Sequence, residues 1–79
     1  MEVYIKKYWE EEDILFYIHF IDGRASRQLE ISKNATRYMS EENPVDDDSQ
    51  LVDQKLEGLD LDEGDFISSE EFEEAWKKR

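Results

Sequence analysis

The sequence predicts an α+β fold: an antiparallel β-meander of four to five strands with one C-terminal α-helix packed on one face. Three observations predict it. Four short runs before residue 41 alternate in polarity or are apolar throughout, each bounded by polar turn residues. Asp22-Gly23 sits between two of those runs, and this pair is the strongest short hairpin signal because a type I′ turn needs positive φ at both central residues. Ser68 and Glu71, three residues apart, open a final amphipathic segment with the signature of a helix N-terminus.

The elements follow in order. In Val3-Tyr-Ile-Lys-Lys-Tyr-Trp9 the residues Val3, Ile5 and Trp9 share one parity and Tyr4, Lys6 and Tyr8 the other, which is a strand with one apolar and one mixed face. Glu10 to Asp13 turn the chain. Ile14-Leu-Phe-Tyr-Ile-His-Phe-Ile21 is apolar on both parities and reads as a central strand covered on both sides. Arg24 to Ile31 returns from the Asp22-Gly23 turn, Ser32 to Ala35 turn again, and Thr36 to Ser40 is a fourth strand, so residues 1–40 form the meander. Residues 41–50 hold the single proline and the run Asp46-Asp47-Asp48, and are expected to be an acidic loop. Residues 51–67 are a strand-and-turn region, with a short strand expected at Leu51 to Leu56. Residues 68–78 are the helix. There the Ser68 hydroxyl caps the first turn, Ile67 and Phe72 make a hydrophobic staple, and Phe72 and Trp76 lie one turn apart on the docking face. Glutamates precede the lysines along it, as the helix dipole prefers.

Composition bounds the function. A chain of 79 residues makes one domain and buries only about 60% of its unfolded surface. It has no cysteine, so aromatics at 13% of the residues must support the small core without disulfides or thiolate chemistry. No apolar run approaches the roughly 18 residues of a membrane span, and the first residues carry no signal-peptide pattern. A soluble, cytoplasmic protein without membrane contact is expected. Charge is uneven. Residues 1–39 carry seven acids against six bases, net −1, and residues 40–79 carry fifteen acids against four bases, net −11, which together make the net charge of −12. Direct nucleic-acid binding is disfavoured, because phosphates need lysine and arginine. A basic protein is the natural complement, since opposite potentials steer association.

No catalytic site is legible. His19 is the single histidine, no serine stands in a nucleophile-elbow context, and the three glycines form no phosphate loop. An enzyme is not expected, and no cofactor is implied. The stretch Asp60 to Glu71 is similar in spacing to an EF-hand calcium loop: Asp60, Asp62, Ile67 and Glu71 fall at positions 1, 3, 8 and 12. Gly64 stands at position 5, where an oxygen ligand belongs, and Asp65 at position 6, where glycine belongs. The cap and staple already explain Ile67, Ser68, Glu71 and Phe72. A calcium-binding module using Asp60, Asp62, Asp65 and Glu71 is therefore the alternative reading and an acidic turn feeding a helix the preferred one.

If Trp9, Phe16, Ile18 and Phe20 face the helix, Tyr4, Tyr8, Tyr17 and His19 lie on the opposite, open face, where tyrosines suit protein contact. The expected partner-binding residues are thus Tyr17 and His19 with the acids Glu41, Glu42, Asp46, Asp47, Asp48, Asp60, Asp62 and Asp65.

Three pieces of sequence resemble a family of small bacterial proteins that share a domain of unknown function. They are Tyr4-Ile5-Lys6 with Trp9, the strand Arg27-Gln28-Leu29-Glu30-Ile31, and the ending Phe66 to Trp76. Together they span most of the chain, with the acidic middle unmatched, and none is a chemical motif. Some proteins of this kind are encoded near bacterial toxins and are regarded as candidate immunity proteins. The resemblance implies an acidic inhibitor that covers a basic toxin, nuclease or nucleic-acid-binding complex, and it carries over no catalytic residue.

Overall fold

The computed structural model describes residues 1–46 and 49–78; Asp47, Asp48 and Arg79 lie outside the described residues. Strands β1 (Glu2–Trp9), β2 (Ile14–Ile21), β3 (Arg24–Ile31) and β4 (Thr36–Ser40) form the expected antiparallel meander. A fifth, two-residue strand, β7 (Phe66–Ile67), is added at the far edge, so the sheet order is β4-β3-β2-β1-β7. That strand pairs antiparallel with β1, Tyr4 against Ile67 and Ile5 against Phe66. One helix, α1 (Ser69–Lys77), follows it.

Turn chemistry sets the register. Asp22 and Gly23 both have positive φ, 50° and 84°, as a type I′ turn requires. The turn is held further by the N-terminal ammonium, 2.6 Å from the Asp22 carboxylate, and by Asp22 N–H donating to Met1 C=O. The β1–β2 turn closes with Asp13 at φ 55° and the Tyr8 hydroxyl donating to the Asp13 carboxylate. A bulge between His19 and Phe20 shifts the β2–β3 pairing, so that His19 meets Arg27 while Phe20 meets Ala25.

Both sheet faces are covered, by different means. On one, Ile5, Ile18, Phe20 and Ala25 are buried under Leu51, Val52, Leu56, Leu59 and Leu61. On the other, α1 buries Phe72 completely, beside the buried His19 and Leu29. This reverses the expected facing: the helix lies on the face of Tyr4, Tyr17 and His19, not on that of Trp9, Phe16, Ile18 and Phe20. Because β2 is apolar on both parities, periodicity alone could not orient it. The handing-over at β7 does, since Ile67 pairs with Tyr4 and the chain continues through Ser68 on that side.

Two local expectations are also corrected. Leu51 to Leu56 is not a strand but the start of an irregular strap, residues 51–62, that contains a 3₁₀ turn at Leu56–Gly58. The acidic segment 41–50 is not only loop, because β5 (Val45–Asp46) and β6 (Ser49–Gln50) pair in a small hairpin. Asp46 explains it in part: its carboxylate accepts from Tyr38 N–H at 3.0 Å, which ties the hairpin to β4. The strap is fixed to the sheet by Val52 N–H donating to the buried Gln28 Oε1 at 2.8 Å and by Leu56 N–H donating to Gly23 C=O at 2.9 Å. Gln28 in turn donates to Glu30, whose other oxygen accepts from Ser49. No buried side-chain polar atom of this seam is left without a partner, as its burial demands.

Candidate functional site

A groove of about 800 Å³ lies on the strap side of the sheet. Ile5, Phe16 and Ile18 form its floor, and Trp9 and Ile14 close the end nearest the β1–β2 turn. The strap supplies the facing wall through Leu51, Val52, Leu59 and Leu61. Trp9 is held against Phe16, ring centres 6.0 Å apart, yet is 47% exposed. The strands position the floor, so it is rigid before anything enters.

Acids stand on both sides of that groove. Glu12 projects from the β1–β2 turn and Asp53 and Asp60 from the strap, and all three are exposed. Lys7 and Arg37 also line the groove; the Lys7 ammonium lies 3.1 Å from the Asp65 carboxylate. That hydrogen bond is the main cause of the raised Lys7 pKa, with Asp62 and Asp60 adding to it. Asp65 is held below the ordinary carboxylate range, first by Asp62 N–H and then by Lys7.

This arrangement settles where the loop candidates lie. Glu63–Asp65 is a 3₁₀ turn opened by Asp62, and neither Gly64 nor Asp65 takes positive φ. Asp65 pairs with the Lys7 ammonium, while Asp60 and Asp62 act on it only as more distant charges. Glu71 is drawn away to Lys6, 3.2 Å from it, while its backbone N–H donates to the capping Ser68 hydroxyl. The described residues contain no group of three or more His, Asp or Glu side chains arranged to hold a metal ion.

The remaining candidates fall into distinct places. Glu41, Glu42, Asp60 and Asp62 are exposed and make no ion pair among the described residues. Asp46 is half-buried and structural, and Asp47 and Asp48 lie outside the described residues. Tyr17 is half-buried with the Lys6 ammonium 5.7 Å from its ring centre. His19, expected on an open face, is 4% exposed beneath the helix. Its ring stacks on Tyr4 at 4.3 Å. Nδ1 accepts from Arg27 Nε at 3.1 Å, so Nε2 carries the hydrogen and donates to Glu2 at 2.7 Å. Sequence reasoning missed the groove because it assigned Trp9 and Phe16 to the helix. The one available signal was the cluster of Leu51, Leu56, Leu59 and Leu61 at spacings that fit neither helix nor strand.

The Asp65 contacts give a pH signature. A carboxyl whose folded pKa is depressed contributes stability above its unfolded pKa and loses it as pH falls through the folded value. The stability gap between the wild type and Asp65→Asn is therefore expected to be constant above about pH 5 and to narrow as pH falls through and below the ordinary carboxylate range. Urea unfolding of both proteins across that range measures it; a gap independent of pH would mean the contacts with Lys7 and Asp62 N–H contribute nothing through charge.

None of the described helices is long and apolar enough to cross a membrane. Comparison with protein-family models, curated proteins and solved structures finds no match.

Proposed function

We propose that this protein is a non-catalytic binding module of the inhibitor or immunity type, working in the bacterial cytoplasm, whose acidic surface engages a basic protein partner. The observation that carries the reading is how charge is disposed. Lys6, Lys7 and Arg27 are each bonded to a carboxylate of the same chain. Glu41, Glu42, Asp53, Asp60 and Asp62 remain exposed and without an ion pair among the described residues, on a chain of net charge −12. Such a surface steers a cationic partner and repels nucleic acid. The partner class is a basic toxin, a nuclease or a nucleic-acid-binding complex, for which the acidic face stands in place of phosphates. The resemblance to the small bacterial family points the same way.

The test uses a tagged protein and a variant carrying Glu41→Gln, Glu42→Gln, Asp60→Asn and Asp62→Asn, all at exposed positions. The wild type is expected to retain a basic protein that rising salt releases, and the neutralised variant to bind the purified partner about tenfold more weakly, chiefly through slower association. Equal binding by the two proteins, or retention insensitive to salt, overturns the proposal.

A further inference from the structure

We propose that the groove between strap and sheet is the anchor site of that interface, and that it takes apolar side chains carried on a lysine- or arginine-rich segment of the partner. The inference rests on the reading above and adds to it where the partner is gripped. The first argument is the apolar floor. In a chain of which 41% is charged, Trp9 and Phe16 stand together at an open groove over the buried Ile5 and Ile18. A solvated acidic surface has no use for such a strip, whereas interfaces place an aromatic anchor at their centre and charges at the rim.

The second argument is the sign of the rim. Glu12 on one side and Asp53 and Asp60 on the other face the groove from separate elements. Behind Glu12 stand Glu10, Glu11 and Asp13, all exposed. Of the two cations that line the groove, Lys7 is already drawn to Asp65 and Arg37 is engaged within the chain. An apolar side chain flanked by cations therefore meets apolar atoms at the floor and carboxylates at both edges. A fatty acid would bring its carboxylate against the same acids, and a second copy of this chain would bring another charge of −12. The third argument is rigidity. The floor is strand, and the first part of the strap wall is tied by Val52 N–H to Gln28 and Leu56 N–H to Gly23, which lowers the ordering to be done on binding.

The experiment titrates the isotope-labelled protein with three short synthetic peptides. One carries phenylalanine and leucine among arginines; the second keeps the arginines but has serine at the apolar positions; the third keeps the apolar residues but has glutamates. The two tryptophan indole N–H signals report the two sheet faces, Trp9 in the groove and Trp76 on the helix of the opposite face. The first peptide is expected to shift the Trp9 signal and leave Trp76 in place, to bind about tenfold or more tighter than the serine peptide, and to lose a similar factor on Trp9→Ala. The Glu12→Lys, Asp60→Lys protein, altered only at exposed positions, is expected to lose the first peptide too. If the first two peptides bind alike and Trp9→Ala changes nothing, the groove is no anchor, while the acidic-surface reading stands. If the glutamate peptide binds best at Trp9, both readings fail. Concentration-dependent shifts of Trp9 without peptide would assign the groove to a second copy and overturn the anchor role.

Discussion

Replacing Phe72 by alanine is expected to cost about 3–5 kcal/mol, the range for truncating a fully buried aromatic ring. Phe72 is completely buried and is the residue through which the helix holds the sheet. Its ring lies 5.4 Å from that of Tyr4, 5.7 Å from that of His19 and 5.9 Å from that of Trp76. The Arg27 guanidinium sits 4.8 Å from its centre. A nine-residue helix is too short to persist without docking, so losing this ring loosens the helix as a whole. Domains of this size have a total stability of roughly 4–12 kcal/mol, and the variant should therefore lie close to unfolding in water. Urea titration followed by far-ultraviolet circular dichroism measures the loss, and Phe72→Leu, which keeps most of the volume, should cost less than about 2 kcal/mol. A Phe72→Ala protein within 1 kcal/mol of wild type would show that the sheet and strap carry the fold without the helix.

The parts of this molecule that local chemistry decides were legible in its sequence. Strand ends at Trp9, Ile14, Ile21 and Arg24 follow from turns whose residues must take positive φ, and Asp13, Asp22 and Gly23 do. The helix begins where Ser68 can accept from Glu71 N–H. What was not legible depends on contacts between distant segments. Ile14 to Ile21 is apolar on both sides, so nothing within it tells which face receives the helix; the pairing of Ile67 with Tyr4 decides that, across more than sixty residues. The strap was misread because its leucines obey no period. They are spaced by where the sheet surface lies beneath a chain without regular hydrogen bonds, tied down by Gln28 and Gly23. The groove exists only because the strap covers part of that face and leaves Trp9 and Phe16 open.

The acidic candidates divide along the same line. Composition marks all of them alike, yet Asp65 serves Lys7 and Asp62 N–H, Asp46 serves Tyr38 N–H, and Glu71 serves Lys6. Those three carboxylates build the fold. Glu41, Glu42, Asp60 and Asp62 are left facing solvent, and it is this remainder that a partner can meet.

Arg27→Met is expected to cost about 2–3 kcal/mol, through groups that hydrophobic accounting ignores. Arg27 donates through Nε to His19 Nδ1 at 3.1 Å and through both terminal nitrogens to the two oxygens of Glu73, at 3.1 and 2.6 Å. That fork holds the Glu73 carboxyl below its ordinary pKa, chiefly by hydrogen bonding. Its plane also lies over Phe72 and Trp76, where a cation is favoured. Methionine keeps the stem and the volume and removes the fork. Glu73, whose side chain is 41% exposed, can take water in exchange. His19 at 4% exposure cannot, and its Nδ1 is left as a buried acceptor without a donor; that loss is the larger share of the cost. Lysine at position 27 would keep the charge but cannot serve three acceptors in one plane, so Arg27→Lys should recover less than half of the loss. The origin of the cost is separable by a double-mutant cycle. His19→Phe removes the acceptor, so in that background Arg27→Met should cost at least about 1 kcal/mol less than in the wild type. Urea unfolding of the four proteins gives the coupling. Additivity to within about 0.5 kcal/mol would place the contribution of Arg27 in its pair with Glu73 and its ring contacts, and would leave the buried histidine held by Tyr4, Phe72 and Glu2.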